Sequence, residues 1–202
     1  MNPLRHIRRA GTAIVVLAFL HAGPADSATR YGVDKNHTTV GFSVPIMGLG
    51  KVTGKFTDFT ISLLYDEKDI TRSSVQVTIK AESINTGILD RDKHLRSADF
   101  FEVEKYPEIT FQSTRIEKKR GKYTATGPFT MRGVTREITL AFTVHSSVEK
   151  AADAPPTLGI AAATTLNRHD FGINWEHSSV PAFVGDDVSV EVFLLTRGGK
   201  RE

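Results

Sequence analysis

Arg91, Asp92, Lys93, His94 and Arg96 crowd into one short run, and Phe100 and Phe101 follow directly. Two kinds of chemistry suit such a run. Guanidinium and imidazole groups at a cavity mouth can donate charge-assisted hydrogen bonds to a carbonyl or pyrophosphate. Alternatively, an Arg–Asp pair can pin a helix to its neighbour and leave Lys93 in solvent. A second polar group, Arg168, His169 and Asp170, lies beside Phe171 and Trp175. The Asp170-Phe171-Gly172 stretch reads as a turn whose carboxylate bonds its own backbone. Beyond the first 28 residues the histidines are 37, 94, 145, 169 and 177, and no pair has a recognised metal-ligand spacing. There is no Gly-x-Ser-x-Gly elbow, and Asp186-Asp187 reads as a turn opening a strand. Neither catalysis nor a cofactor or metal is expected.

The elements around these residues are strands. Thr38, Val40, Phe42, Val44 and Ile46 share one parity, as do Val75, Val77 and Ile79. Ile138, Leu140, Phe142 and Val144 do the same, and so do Val188, Val190 and Val192. This is the period of half-buried antiparallel strands. Further strand runs cover about 52–65, 108–117, 121–131 and 157–168, roughly eight strands in all. Val52, Gly54 and Phe56 are even, whereas Phe59, Ile61 and Leu63 are odd. That slip predicts a bulge or sharp bend at Thr57–Asp58. Turns are expected at 118–121, 131–133 and 154–156, with 151–156 a loop. The exception is the segment 86–101. Ile88, Asp92 and Leu95 lie at helical spacing, Thr86 is the expected N-cap, and Asp90, Asp92 and Arg96 suit the helix dipole. One short helix among eight meandering strands predicts an up-and-down, lipocalin-like antiparallel barrel with the helix covering it. A β-sandwich is the alternative.

The first 28 residues read as a leader. Arg5, Arg8 and Arg9 precede an apolar run from Ala10 to Leu20, and a small-residue tract ends at Ala28. A run that short cannot span a bilayer, so the pattern predicts a cleaved secretory signal and a domain at 29–202. Without the leader's Arg5, Arg8, Arg9 and Asp26, net charge falls from +3 to about +1. Nothing then favours nucleic acid as a partner. The absence of cysteine excludes disulfides, thiol chemistry and a lipoprotein anchor. An exported, disulfide-free, soluble protein suits a bacterial periplasm.

Eight strands enclose either packed side chains or one small ligand. Gly159 to Thr165 is a strand of small residues facing walls rich in Phe42, Phe56, Phe111, Phe129, Met131 and Phe142. That contrast permits a slot and equally permits tight interdigitation. If the interior takes a ligand, these groups are expected to meet it together with Val44, Val77, Ile79, Leu140, Ile160 and Ala162. The covering segments would add Arg91, His94, Leu95, Phe100, Phe101, Arg168, Phe171 and Trp175. The loop 169–185, rich in Gly, Asn and Ser and containing Pro181, is the expected gate.

Several blocks resemble a known family in its order. They include Tyr31-Gly-Val-Asp34, His37 to Phe42, Gly54-Lys-Phe56, Ile84-Asn-Thr86 and Arg91 to Phe101. Pro107 to Phe111, Gly127 to Thr135 and Arg168 to Ile173 continue the series. The chain is similar, from about 31 to 195, to the YceI-like family of exported lipid-binding proteins. The resemblance implies a lipocalin-like barrel around an apolar channel. It also implies a polyisoprenoid, isoprenoid-quinone or fatty-acid-derived ligand, no agreed enzymatic activity and a periplasmic location. A homodimer fits the family's exposed mouths and edges. Pro128 departs from the family, which more often has a larger apolar residue there, and it removes a ladder donor unless it sits at an edge or bulge. The rival to a carrier is an interaction protein with a filled barrel that contacts a membrane redox partner.

Overall fold

The computed structural model describes residues 28–146 and 157–200. Residues 1–27 of the expected leader and the 151–156 loop with its turn lie outside the described residues. The strands are β1 (Ala28–Val33), β2 (Thr39–Ile46), β3 (Gly50–Phe56), β4 (Phe59–Asp66), β5 (Ser74–Lys80) and β6 (Ile84–Asn85). After helix α1 (Leu89–Arg96) come β7 (Glu108–Gln112), β8 (Arg115–Lys119), β9 (Lys122–Met131), β10 (Val134–Ser146), β11 (Leu158–Asn167) and β12 (Asp187–Lys200).

These pieces build eight barrel positions, because the first four positions are each a strand broken once. A 3-10 turn at Lys35–His37 separates β1 from β2, and another at Ala81–Ser83 separates β5 from β6. Thr57 and Asp58 separate β3 from β4, and Ser113 and Thr114 separate β7 from β8. Pairing continues across each break: Tyr31 faces Leu63 and Val40 faces Phe56 on one pair of walls. Phe59 faces Ile79 and Phe56 faces Ile84 on the next. Strands β9 to β12 are long and unbroken, and β12 pairs with β1 to close an eight-stranded antiparallel barrel. The sandwich is therefore excluded. Among the described residues, closure leaves only the short β6 and β8 paired on one side.

The parity slip does mark a bend at Thr57–Asp58. A second slip, from Ile109 and Phe111 to Ile116, marks the break at Ser113–Thr114. There Ser113 keeps both contacts with Val75, donating its amide to the carbonyl at 2.9 Å and accepting with Oγ at 2.9 Å. Gly127 faces this break, and a Cβ on it would fall 1.9 Å from the Gln112 carbonyl oxygen. Pro128 sits beside it, between the β9 residues paired with β7 and those paired with β8. A bulge is where a strand tolerates a proline. The turns at Arg120-Gly121 and Arg132-Gly133 have positive φ at both residues, the geometry that suits two-residue hairpins.

Helix α1 corrects the expected N-terminus. It starts at Leu89, with Ile88 at the N-cap and no side-chain cap. Thr86 is not the cap: its amide and hydroxyl instead donate to Asp92 Oδ1 at 2.8 and 2.6 Å. Ile88, at helical spacing from Asp92 and Leu95, is the N-cap and is exposed. No helix among the described residues is long and apolar enough to cross a membrane.

The far end of the barrel is the more closely packed. Tyr31, Leu63, Tyr65, Leu158 and Leu194 form a buried cluster, with the two tyrosine rings edge to face at 5.8 Å. The Tyr31 hydroxyl donates to Glu67 at 2.9 Å, so this aromatic plug keeps its polar tip satisfied.

Candidate functional site

Inward-facing residues of the other half surround a cavity of about 400 Å³. Val40, Phe42, Val44 and Ile46 of β2 face Val52 and Phe56 of β3, with Val188 and Val190 of β12 alongside. Ile79, Ile109, Phe129, Met131 and Leu166 complete the wall. Gly54 leaves room for the Phe42 ring, because a Cβ there would fall 2.4 Å from the ring's outer carbon. A smaller space of about 100 Å³ lies deeper, lined by Val77, Phe111, Leu140, Phe142, Ile160 and Ala162 among others. Ile61, Val77, Phe129 and Ile138 pack against both the upper cluster and a deeper one. They form a waist between the two spaces.

Helix α1 and the segment after it roof the upper space with Leu95, Phe100 and Phe101. Phe101 meets Phe56 edge to face at 5.9 Å. Arg91 and His94 bring the polar groups of this roof to the cavity lining. The expected Arg–Asp pair does not form. Arg91 donates Nε to the Thr86 hydroxyl at 2.7 Å and Nη2 to the Thr86 carbonyl at 3.0 Å. Arg96 anchors the helix by donating to the carbonyls of Glu82 and Ile84 at 2.6 and 2.8 Å. Asp92, 3% exposed, is held by Thr86. Lys93 is exposed, as expected. His94 pairs with Asp99 at 2.8 Å and keeps 42% of its side chain in solvent while also lining the cavity. It marks the mouth.

The loop beyond β11 closes the other side. Its one 3-10 turn, Arg168–Phe171, is capped by Asn167, which accepts from the His169 amide; Asp170 does not bond its own backbone. The Asp170 carboxylate lies 3.6 Å from Arg136 instead. Arg168 is buried and runs along the cavity with its donors turned away from it. Nη1 donates to the carbonyls of Ile173 and Trp175, Nε to that of Gly185, and Nη2 to Glu176, Asp186 and the Val184 carbonyl. With every N–H engaged, Arg168 fastens the loop and has no donor to spare for a ligand. Arg132 joins the two covers, donating to the carbonyls of Gly172 and Ala98.

His169, Glu176 and Asp186 bring potential metal ligands within 4.8 Å of one another. The Arg168 guanidinium already supplies the cation between Glu176 and Asp186. The His169 ring donates toward Asn174 at 2.8 Å and Asp186 at 2.7 Å. Two acceptors favour the imidazolium, so Asn174 first and Asp186 second raise the His169 pKa. The same contact with His169, then the nearby Arg168 charge, holds Asp186 below the usual carboxylate range.

Most residues expected from the sequence line one of the two spaces. Phe171 does not; it packs edge to face on Phe129 at 5.3 Å beneath the loop. Val40, Val52, Val188 and Val190 were missed although their alternation was visible. Ile173, Phe183 and Val184 come from irregular backbone with no period to read. Trp175 joins these parts, with its ring 5.2 Å from His94, 5.4 Å from Phe100 and 6.4 Å from Phe183.

A closed antiparallel barrel enclosing an apolar space under a polar-rimmed roof defines a binding-protein architecture. The comparisons give the family. The YceI-like domain model matches residues 31–194, and the chain belongs to that family. A UPF0312 protein of Shewanella is 35% identical over 89% of this chain and 95% of its own length. A UPF0312 protein of Photorhabdus laumondii is 42% identical over 56% of this chain, which spans only 60% of that relative. Among solved structures, the Campylobacter jejuni YceI protein is 29% identical with a TM-score of 0.65, covering 85% of this chain and 98% of its own. Burkholderia cenocepacia BcnA shares the fold at a TM-score of 0.72 and 24% identity, over 82% of this chain and 99% of its own. A polyisoprenoid-binding domain from Saccharophagus degradans shares the fold at 0.61 and 14%, over 84% of this chain and 98% of its own.

Proposed function

We propose that this chain is an exported binding protein that carries or stores an apolar chain-like lipid in the bacterial periplasm. The upper cavity supports this reading: about 400 Å³ of space walled by aliphatic and phenyl groups, with Arg91 and His94 at its mouth. A space of that size between the wall side chains argues against the filled-barrel alternative. The polyisoprenoid-binding relative in the same fold points to an isoprenoid tail. Each buried methylene contributes about 0.8 kcal/mol before ordering costs, so a chain binds without any catalytic group.

The two spaces also bound the tail. A dry cavity of about 150 Å³ takes benzene, so the upper space takes about 16 carbons and both spaces about 20. That is the length of a few prenyl units or one fatty acyl chain. A longer polyisoprenoid must displace the waist side chains or extend out of the mouth. Arg91 and His94 would meet the carbonyl or phosphate of the head.

The test uses protein purified from its native compartment. Solvent extraction and mass spectrometry should yield a stoichiometric lipid with an apolar tail. Farnesol, or a quinone with a short prenyl tail, should quench Trp175, the only tryptophan. Repeated empty extracts together with unchanged Trp175 emission would end this reading.

A further inference from the structure

Five large apolar side chains are conspicuously exposed among the described residues: Met47, Leu49, Ile88, Leu89 and Phe193. Single exposed hydrophobics need no explanation, but a cluster does. Four of these five belong to two short segments, and both segments border the cavity mouth. Met47 and Leu49 form the tip of the β2–β3 hairpin, whose neighbours Ile46 and Val52 line the cavity. Ile88 and Leu89 open α1, whose Arg91, His94 and Leu95 line the same space.

The topology puts both segments at one end. Lys55 pairs with Asn85 in antiparallel fashion, so the chain leaving β6 runs alongside β3 toward the hairpin. The side chain of Thr86 lies against Gly54, one step along that path. On the other side of the mouth, His94 contacts Trp175, Trp175 contacts Phe183, and the Met47 amide donates to the Phe183 carbonyl at 3.0 Å. The rim is thus continuous from helix to loop to hairpin. Leu49 is 87% and Leu89 85% exposed, nearly as much as in an unfolded chain. Met47 also holds a φ of 52°, a left-handed conformation that a non-glycine residue adopts at a cost.

The charges on the two apolar segments are mainly basic, while the acidic Asp99 and Glu176 farther round the rim are already paired with His94 and Arg168. Lys51 follows Leu49, and Lys93 stands one helical turn above Leu89 on the same face. Asp90 is the exposed acidic residue of these two segments, since Asp92 is buried. Leucines ringed by lysines fit an interface of acyl chains beneath anionic headgroups.

We propose that this rim seats the mouth of the barrel on an anionic lipid bilayer, so that a lipid passes between membrane and cavity without crossing water. The inference rests on reading the barrel as a holder of apolar ligands. The occupant is a lipid surface, not a protein groove or a second copy of the chain.

The test compares the mature protein with a Leu49→Ser/Leu89→Ser variant, neither leucine being part of the cavity wall. Sedimentation with vesicles of equal phosphatidylglycerol and phosphatidylcholine should retain the parent protein, and pure phosphatidylcholine should retain less. The variant's partition should fall about tenfold or more, and delivery of farnesol from vesicles should slow in step. Farnesol added from ethanol should quench Trp175 equally in both proteins. Lys51→Glu/Lys93→Glu provides a second variant and should abolish the preference for phosphatidylglycerol. Equal partition of parent and variants, no partition on either vesicle, or a rim buried in a dimer would overturn the proposal. If the parent binds vesicles but never farnesol, the ligand reading falls and the docking surface stands.

Discussion

The two ends of this barrel are built from the same alternating strands and end up filled to different degrees. At the far end, Tyr31, Leu63, Tyr65, Leu158 and Leu194 interlock and leave only about 100 Å³ beside them. At the mouth, strands of similar composition leave about 400 Å³ open. The difference lies in how each end is closed. The far end is closed by side chains from the strands themselves, which pack as the strands pair. The mouth is closed by irregular segments held from outside the cavity. Arg96, Arg132 and Arg168 tie those segments to backbone carbonyls, so the covers stay in place without their side chains having to fill the interior. A protein can keep an apolar space open when polar staples, not core packing, fix its lid.

The sharpest way to break this contrast is to remove a staple. Arg168→Ala strands several carbonyls and two carboxylates at once. It should cost about 3 kcal/mol of stability in urea denaturation, the scale for breaking a buried charge network. Trp175 emission should shift to the red as the loop lifts. An unchanged midpoint would show that the loop packs by itself.

Matched truncations at the two ends come next. Leu158→Ala opens a hole at a fully packed position and should cost about 3 kcal/mol, whereas Leu95→Ala enlarges an existing space and should cost about 1 kcal/mol. Equal losses would mean that the upper cavity collapses when it is empty. At the mouth itself, Arg91→Ala should weaken a prenyl phosphate about tenfold and leave farnesol nearly unchanged, the range of one charge-assisted hydrogen bond. Equal weakening of both would reduce Arg91 to a support for Thr86.

The smallest effect is in the pH dependence of the loop. The folded-state pKa of His169 is raised, so its contribution is complete below the ordinary value of about 6.5 and fades as pH rises through the raised value. Asp186 is depressed, so its contribution is present above about 3.9 and fades as pH falls through the lowered value. Loop 172–186 should therefore be best protected from hydrogen exchange between those limits. Protection that rises above neutral pH would reverse the assignment. Both groups are exposed, so solvent screening keeps the change small.

The strands and the bend at Thr57–Asp58 were readable because side-chain parity is a local signal, and the turns at 118–121 and 131–133 because glycine marks them. The Ile109–Ile116 slip carried the same information for the break at Ser113–Thr114. Whether the interior was packed or open was not readable, since Phe42 and Phe111 have the same pattern and only their neighbours differ. Arg168 looked like a donor at the mouth. Its role as a staple depends on carbonyls from residues 173 to 185, which no spacing in the chain announces. Thr86 looked like a cap for the same reason: a hydroxyl before a helix is legible, but the carboxylate that reaches back to it is not.

The four interrupted barrel positions are consecutive, and the four long strands β9 to β12 make up the rest of the wall. Such a wall has a stiff half and a compliant half. Widening the stiff half would strain long continuous ladders, whereas the compliant half can flex at joints where pairing is already interrupted. A guest too large for the resting cavity will therefore be accommodated by hinging at 35–37, 57–58, 81–83 and 113–114. Those residues act as the expansion joints of the container, and amide exchange there should be the first to change when the barrel fills.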